Sequence, residues 1–280
     1  MNFKTITASL VLAGVAGIAA AQPATDAAPA AGTFSTYTRA NSGQYAARPH
    51  LAYVRTGNQA VDNTARAGLM ALHEKLRDLT TIDIAGVVEI DIERDDIALF
   101  PMIYWPVGEN APTLSAAAQK KVQAYIQMSP AHLIVFDLNN MGKGLGNMGP
   151  LRHMLGDVTL RPLTKVREDS AVNKTFFKAK DLRGTFNYND NILIEEPAPQ
   201  GSGLEVVTSV IIGENNWSAA WAAKRSEARD VALRAGVNFV MLAMTGNYKL
   251  DQADIMEKDS QKNDKKNDKP QSGLPQLDKK

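Results

Sequence analysis

The sequence predicts an α/β fold in which a mostly parallel sheet is covered by helices on both faces. Three observations predict it. Short apolar runs of strand length alternate along the chain with stretches of helical period. Several runs are apolar throughout, as in His132-Leu133-Ile134-Val135-Phe136, the pattern of strands buried on both faces rather than on one. The 280 residues, 44% of them apolar, are also enough for a sizeable core.

Taken in order, His50 to Arg55 is the first predicted strand, stopped by Thr56-Gly57-Asn58. From Val61 to Leu79 the residues Ala65, Leu69, Leu72, Leu76 and Leu79 fall on one helical stripe, with Asp62 as the expected cap. Val87 to Ile92 and Leu99 to Val107 follow as strands, with Pro101 tolerated only at the start of the second. Ser115 opens a helix to Met128 whose core face is Ala118, Val122, Tyr125 and Ile126. His132 to Phe136 is the expected central strand. Asp137 to Gly149 is a loop rich in Gly and Asn, and Leu151 to Leu155 a short helix. Val158 to Leu163 and Asn191 to Glu195 read as short strands, joined by a long irregular excursion through Phe176, Phe177 and Phe186. Val206 to Ile212 is a further strand. The last helix starts near Glu227 and runs to Met244, where Thr245-Gly246-Asn247 stops it.

The ends differ from this unit. Residues 1–21 carry Lys4, then an apolar run from Ile6 to Ala20, then Ala19 and Ala21 in the small-x-small arrangement of a cleaved secretory signal peptide. The run, about fifteen residues, falls short of the roughly twenty that span a bilayer. Export to the periplasm is therefore expected, and amino-terminal sequencing of the protein from an envelope fraction should begin at Gln22; retention of Met1 would instead indicate an anchored chain. Residues 22–33 read as a flexible lead-in, and residues 34–252 as the folded unit. Residues 253–280 read as a disordered charged tail; from Glu257 onward it holds seven Lys and five acids, a balance too even for a strong polybasic anchor.

Composition removes whole classes of function. Lys and Arg number 31 against 30 Asp and Glu, so no global field draws the chain to nucleic acid. With no Cys there are no disulfides, thiolate metal sites or cysteine nucleophiles. His50, His73, His132 and His153 are too dispersed to form a ligand set, and no metal or cofactor is expected. The acidic run Asp91, Glu93, Asp95 and Asp96 reads as a solvated turn. Gly144-Leu145-Gly146-Asn147-Met148-Gly149 has the Gly-x-Gly-x-x-Gly spacing but lies too far from the strand before it, and too close to a short helix, to cradle a dinucleotide.

Four segments carry a resemblance. Leu51 to Gly57, Phe100 to Pro106, Ser209 to Gly213 with Trp217 and Trp221, and Gly236 to Met241 continuing through Thr245-Gly246-Asn247-Tyr248-Lys249 resemble an uncharacterised bacterial domain family. In alphaproteobacteria that domain ends large inner-membrane proteins beginning with an aerotolerance-regulator (BatA-like) region. The resemblance implies a flavodoxin-like three-layer fold related to the class I glutamine amidotransferases. With a signal peptide in place of that membrane-embedded region, the chain reads as a freestanding, exported version of the domain, with an envelope or inner-membrane protein as the expected partner. The chain departs from the family around the central strand, which Ser129-Pro130-Ala131 enters and Leu138-Asn139-Asn140 leaves. Amidotransferase chemistry needs a nucleophile on a strained turn after that strand, and Asp137-Leu138-Asn139 supplies none.

In open α/β sheets ligands lie beyond the carboxyl ends of the strands. The loops found there give the candidate ligand-binding residues Thr56, Asn58, Trp105, Glu109, Asp137, Asn139, Asn216 and Trp217. Two tryptophans, amides and carboxylates suit a sugar or peptide, although the same residues equally serve as sheet caps and turn closures. Two functions are open: a non-catalytic exported module of the cell envelope that binds a protein partner or small ligand, and a glycan or peptide hydrolase using carboxylates such as Asp137 and Glu109.

Overall fold

The computed structural model describes residues 33–128, 132–138, 145, 148–168, 170–186, 192–195 and 208–245. The expected signal peptide and charged tail lie outside these residues. So do Asn139 and the first two glycines of the Gly-x-Gly-x-x-Gly run.

Within the described residues the chain is mixed α/β. It runs β1 (Thr33–Thr36), α1 (Ser42–Ala47), β2 (Leu51–Val54), α2 (Gln59–Leu79), β3 (Gly86–Ile90), β4 (Met102–Val107), α3 (Ala116–Gln127) and β5 (Leu133–Leu138). It continues through α4 (Gly149–Leu155), β6 (Leu163–Lys165), β7 (Ile192–Glu195), β8 (Val210–Gly213), α5 (Trp217–Ala222) and α6 (Glu227–Thr245). One eight-stranded sheet has the order β1-β3-β2-β4-β5-β8-β7-β6. Neighbours are parallel from β1 across to β8, and β7 alone is reversed, pairing antiparallel with both β8 and β6.

Side chains alternate along the strands and build a core on each face. Leu51, Tyr53, Met102, Tyr104, Leu133 and Val135 pack with α2, α5 and α6. Ala52, Val54, Ile103, Trp105, Ile134 and Phe136 pack with α3, α4 and Tyr45 of α1. Among the described residues no helix is long and apolar enough to cross a membrane.

Several elements differ from the sequence expectation. The helix α2 begins at Gln59 because Asn58, not Asp62, caps it, its side chain accepting from the N–H groups of Ala60 and Val61. Leu79, expected on the buried stripe, is exposed at the helix end. The strand expected at 158–163 forms instead at Leu163–Lys165; of the strand expected over Val206 to Ile212, Val206 and Val207 lie outside the described residues and the strand found is Val210–Gly213. The excursion between β6 and β7 is held by Asn238, fully buried in the middle of α6. Its Oδ1 accepts from the N–H groups of Phe176 and Phe177, and its Nδ2 donates to the carbonyls of Val172 and Phe177. One side chain thus satisfies backbone groups that lie outside the sheet and the α-helices.

Candidate functional site

The sheet changes direction of growth at β2. From β2 the chain moves outward to β3, then returns to the other side of β2 as β4 and continues to β5. The β2–β4 ladder ends at the pair Tyr53–Tyr104, whereas the β4–β5 ladder continues to Val107–Leu138. Beyond Tyr104 the strand β4 therefore has a neighbour on one side only. Pro106, which has no N–H to donate, falls in this unpaired stretch, where its missing donor costs least. The loops after β2 and β4 part here and leave a cavity of about 560 Å³.

Four of the predicted residues meet in it: Thr56, Asn58, Trp105 and Glu109. Trp105 forms the floor, 3% exposed, its ring 5.5 Å from that of Phe136. Thr56, Asn58 and Glu109 stand exposed on the rim. Sequence reasoning missed the acidic wall. Arg55 donates to Asp91 at 2.9 Å, and Glu93 accepts from the N–H and hydroxyl of Ser115, the cap of α3. Asp91 and Glu93 belong to the partly exposed turn after β3, and that turn is one side of the cavity.

Asp137 occupies a different place. It lines a smaller cavity, about 230 Å³, with Tyr104, Asn216 and Ser218. The two cavities share Val61 and Pro106 in their walls. Asp137 is 3% exposed, and both carboxylate oxygens are taken. Oδ1 accepts from the backbone N–H groups of Asn215 (3.2 Å) and Asn216 (3.0 Å). Oδ2 accepts from the N–H of Trp217 (2.7 Å) and the hydroxyl of Tyr104 (2.5 Å). The Tyr104 hydroxyl in turn accepts from the N–H of Ser218. Burial raises the Asp137 carboxyl to about 6, opposed by the Tyr104 hydroxyl and the three backbone donors, and burial likewise lifts the Tyr104 phenol well above its ordinary value. The group clamps the end of β5 to the turn between β8 and α5. That turn includes Asn216 in the left-handed region, at φ 48°.

Trp217, expected to flank a ligand, is instead wholly buried. Its indole N–H donates to the Leu182 carbonyl at 2.7 Å, and its ring stands edge-on to Phe239. It caps the sheet within the α2/α5/α6 core and reaches neither cavity. Asp137 and Glu109, the carboxylates a hydrolase would use, line different cavities. The histidines stay apart too. His50, His73 and His132 each contact a backbone carbonyl, and His153 contacts Thr113. Among the described residues no cluster of His, Asp or Glu could hold a metal ion. A wider hollow, about 720 Å³, lies between α1 and the loop after β3, but its Lys121 already donates to the carbonyls of Ile92 and Asp95.

No curated protein matches this chain. One family model does, over residues 50–244, from the residue before β2 to the penultimate residue of α6. It therefore takes in the reversal at β2, the cavity above it and the Asp137 clamp, and the chain belongs to the family described as Domain of unknown function (DUF4159).

Proposed function

We propose that this chain is an exported, non-catalytic α/β module of the bacterial cell envelope that binds a small ligand or a segment of a partner protein in the cavity between the loops after β2 and β4. The observation carrying the proposal is the position of that cavity. It opens where the strand order reverses, the place at which open α/β sheets hold their ligands, and a nearly buried tryptophan floors it beneath polar side chains. The parallel order β3-β2-β4-β5-β8, with cores on both faces, supports the flavodoxin-like three-layer reading and the kinship with class I glutamine amidotransferases implied by the resemblance. Export, the periplasm and an aerotolerance-related BatA-like context rest on the apolar amino terminus and on that resemblance. The hydrolase alternative is weakened because the Asp137 oxygens are occupied by backbone donors and a phenol.

Thermal-shift screening of the full chain against cell-wall fragments and small polar metabolites tests the reading. A binder should be weakened tenfold or more, as an order-of-magnitude expectation, in Trp105→Ala. Turnover of a glycan or peptide that is lost in Glu109→Gln would overturn the non-catalytic assignment.

A further inference from the structure

Resting on the cavity as the binding site, we infer that it recognises a neutral N-acyl amide, whose carbonyl accepts from the Trp105 indole N–H and whose N–H donates to the backbone carbonyl of Val54. The fold leaves both groups over. The β2–β4 ladder pairs Leu51 with Met102, Ala52 with Ile103 and Tyr53 with Tyr104, so its next rung would pair Val54 with Trp105. The Arg55 N–H donates to Ile90 of β3, and residues of a parallel strand face alternate neighbours, so Val54 faces β4. There its carbonyl would accept from the N–H of residue 106, which is proline and has no hydrogen to give. The Val54 carbonyl thus points into the gap where the strands part, on a residue that is 2% exposed and lines the cavity. Trp105, its missing rung partner, is 3% exposed and lines the same cavity. The indole N–H donates to no acceptor among the described residues, yet it is not shut off from solvent.

The charged groups and the loop N–H groups around the cavity are engaged elsewhere. Arg55 pairs with Asp91, Glu93 holds Ser115, and Glu109 on the rim has a partner of its own. In a doubly wound sheet the loop after the strand at the reversal usually offers free N–H groups to an anion. Here the N–H groups of Thr56 and Gly57 donate to Asp62, that of Asn58 to Thr56 Oγ1, and those of Ala60 and Val61 to Asn58 Oδ1. What the floor still offers is one donor and one acceptor, and an amide carries the complement of both. A buried donor or acceptor without a partner is costly, so the site rejects a ligand that lacks either half of the amide. The apolar wall of Ile92, Ala111, Pro112, Leu114 and Met154 takes the acyl carbons, and the volume, about 560 Å³, is that of a small-ligand site. Acetamido sugars and N-acylated amino acids share that chemistry.

The test is calorimetric titration of the full chain with two amides and a counterpart of each. N-acetylglucosamine is set against glucose, which has a hydroxyl in place of the acetamido group. N-acetylalanine methylamide is set against its fully N-methylated form, which keeps the carbonyls and loses the donors. The expected result is saturable binding of one amide or both, about tenfold or more tighter than the counterpart. Two variants then probe the two halves of the contact. Trp105→Phe keeps an aromatic floor and removes the indole N–H, whereas Pro106→Ala returns an N–H to the Val54 carbonyl and lets the ladder gain its rung. Each should weaken amide binding about fivefold, as for one neutral hydrogen bond, while circular dichroism shows the protein folded. Binding of the sugar alone would assign the site to acetamido sugars, and of the alanine compound alone to acylated amino acids. Failure of both amides, equal binding of the counterparts, or an affinity indifferent to either substitution overturns the inference. The cavity as a binding site would survive that result if glucose or a ligand from the wider screen bound and was lost in Trp105→Ala, and fall with it if none did.

Discussion

Replacing Asp137 by alanine is expected to lower the unfolding free energy at pH 7 by about 3–5 kcal/mol, because three backbone N–H groups and the Tyr104 hydroxyl lose their acceptor in a buried site. The deficit should depend on pH in a definite direction. The folded-state value of Asp137, about 6, lies above the ordinary carboxyl value of 3.8, so between these limits the folded protein holds a proton that the unfolded chain releases. The stability this contributes is fully present below the ordinary value and is lost as pH rises through 6, a change of about 3 kcal/mol. The gap between wild type and variant should therefore widen on going from pH 7 to pH 4. Urea unfolding of both proteins at pH 4, 5, 6 and 7 measures it, and a gap that stays constant would show that folding does not shift the carboxyl from its ordinary value.

Gly68→Ala is expected to be nearly as damaging, against the usual sense of the substitution. Alanine in a helix interior normally gains about 1 kcal/mol over glycine. At this position in α2, however, a Cβ would strike the carbonyl oxygen of Ser218 and lie 2.7 Å from its Cα. Both are backbone atoms of α5 and cannot rotate away, so the two helices must separate and loosen the packing around Trp217 and Trp221. A loss of about 2–4 kcal/mol follows. Guanidinium denaturation decides it: a midpoint at or above that of the wild type would show that α5 yields without cost.

The long, periodic elements were legible from the chain because their patterns are local. The helix stripe Ala65-Leu69-Leu72-Leu76, the core face of α3 and the apolar runs of β2, β4 and β5 each lie within one window of sequence. What escaped depended on distant partners. Thr33–Thr36 becomes a strand only through its pairing with β3, more than fifty residues later, and α1 is fixed by Tyr45 packing under Phe100. The segment Trp217–Ala222 reads as a loop unless Asn216 is known to take a left-handed turn. The site divides in the same manner. Thr56, Asn58, Trp105 and Glu109 follow from the rule that ligands gather beyond strand ends, and they share one cavity. Asp137 obeys the same rule, yet its donors arrive from residues 215–217, and no local signal marks a carboxylate that is spoken for. Asp91 and Glu93 do sit at a turn, but nothing near them in sequence discloses Arg55 or Ser115 opposite.

The clamp between β5 and the turn after β8 also bears on the order of folding. Asp137 and Trp217 are 80 residues apart, and the β5–β8 ladder can form only once the whole intervening excursion has been brought round. Strands β2 to β5, with α2 and α3, close shorter loops and assemble at lower entropic cost. During synthesis the apolar edge of β5 thus emerges, pairs with β4 and waits with its other side uncovered until β8 is made. The Leu-Ile-Val-Phe run that makes β5 the heart of the finished sheet is, for that interval, its most adhesive margin.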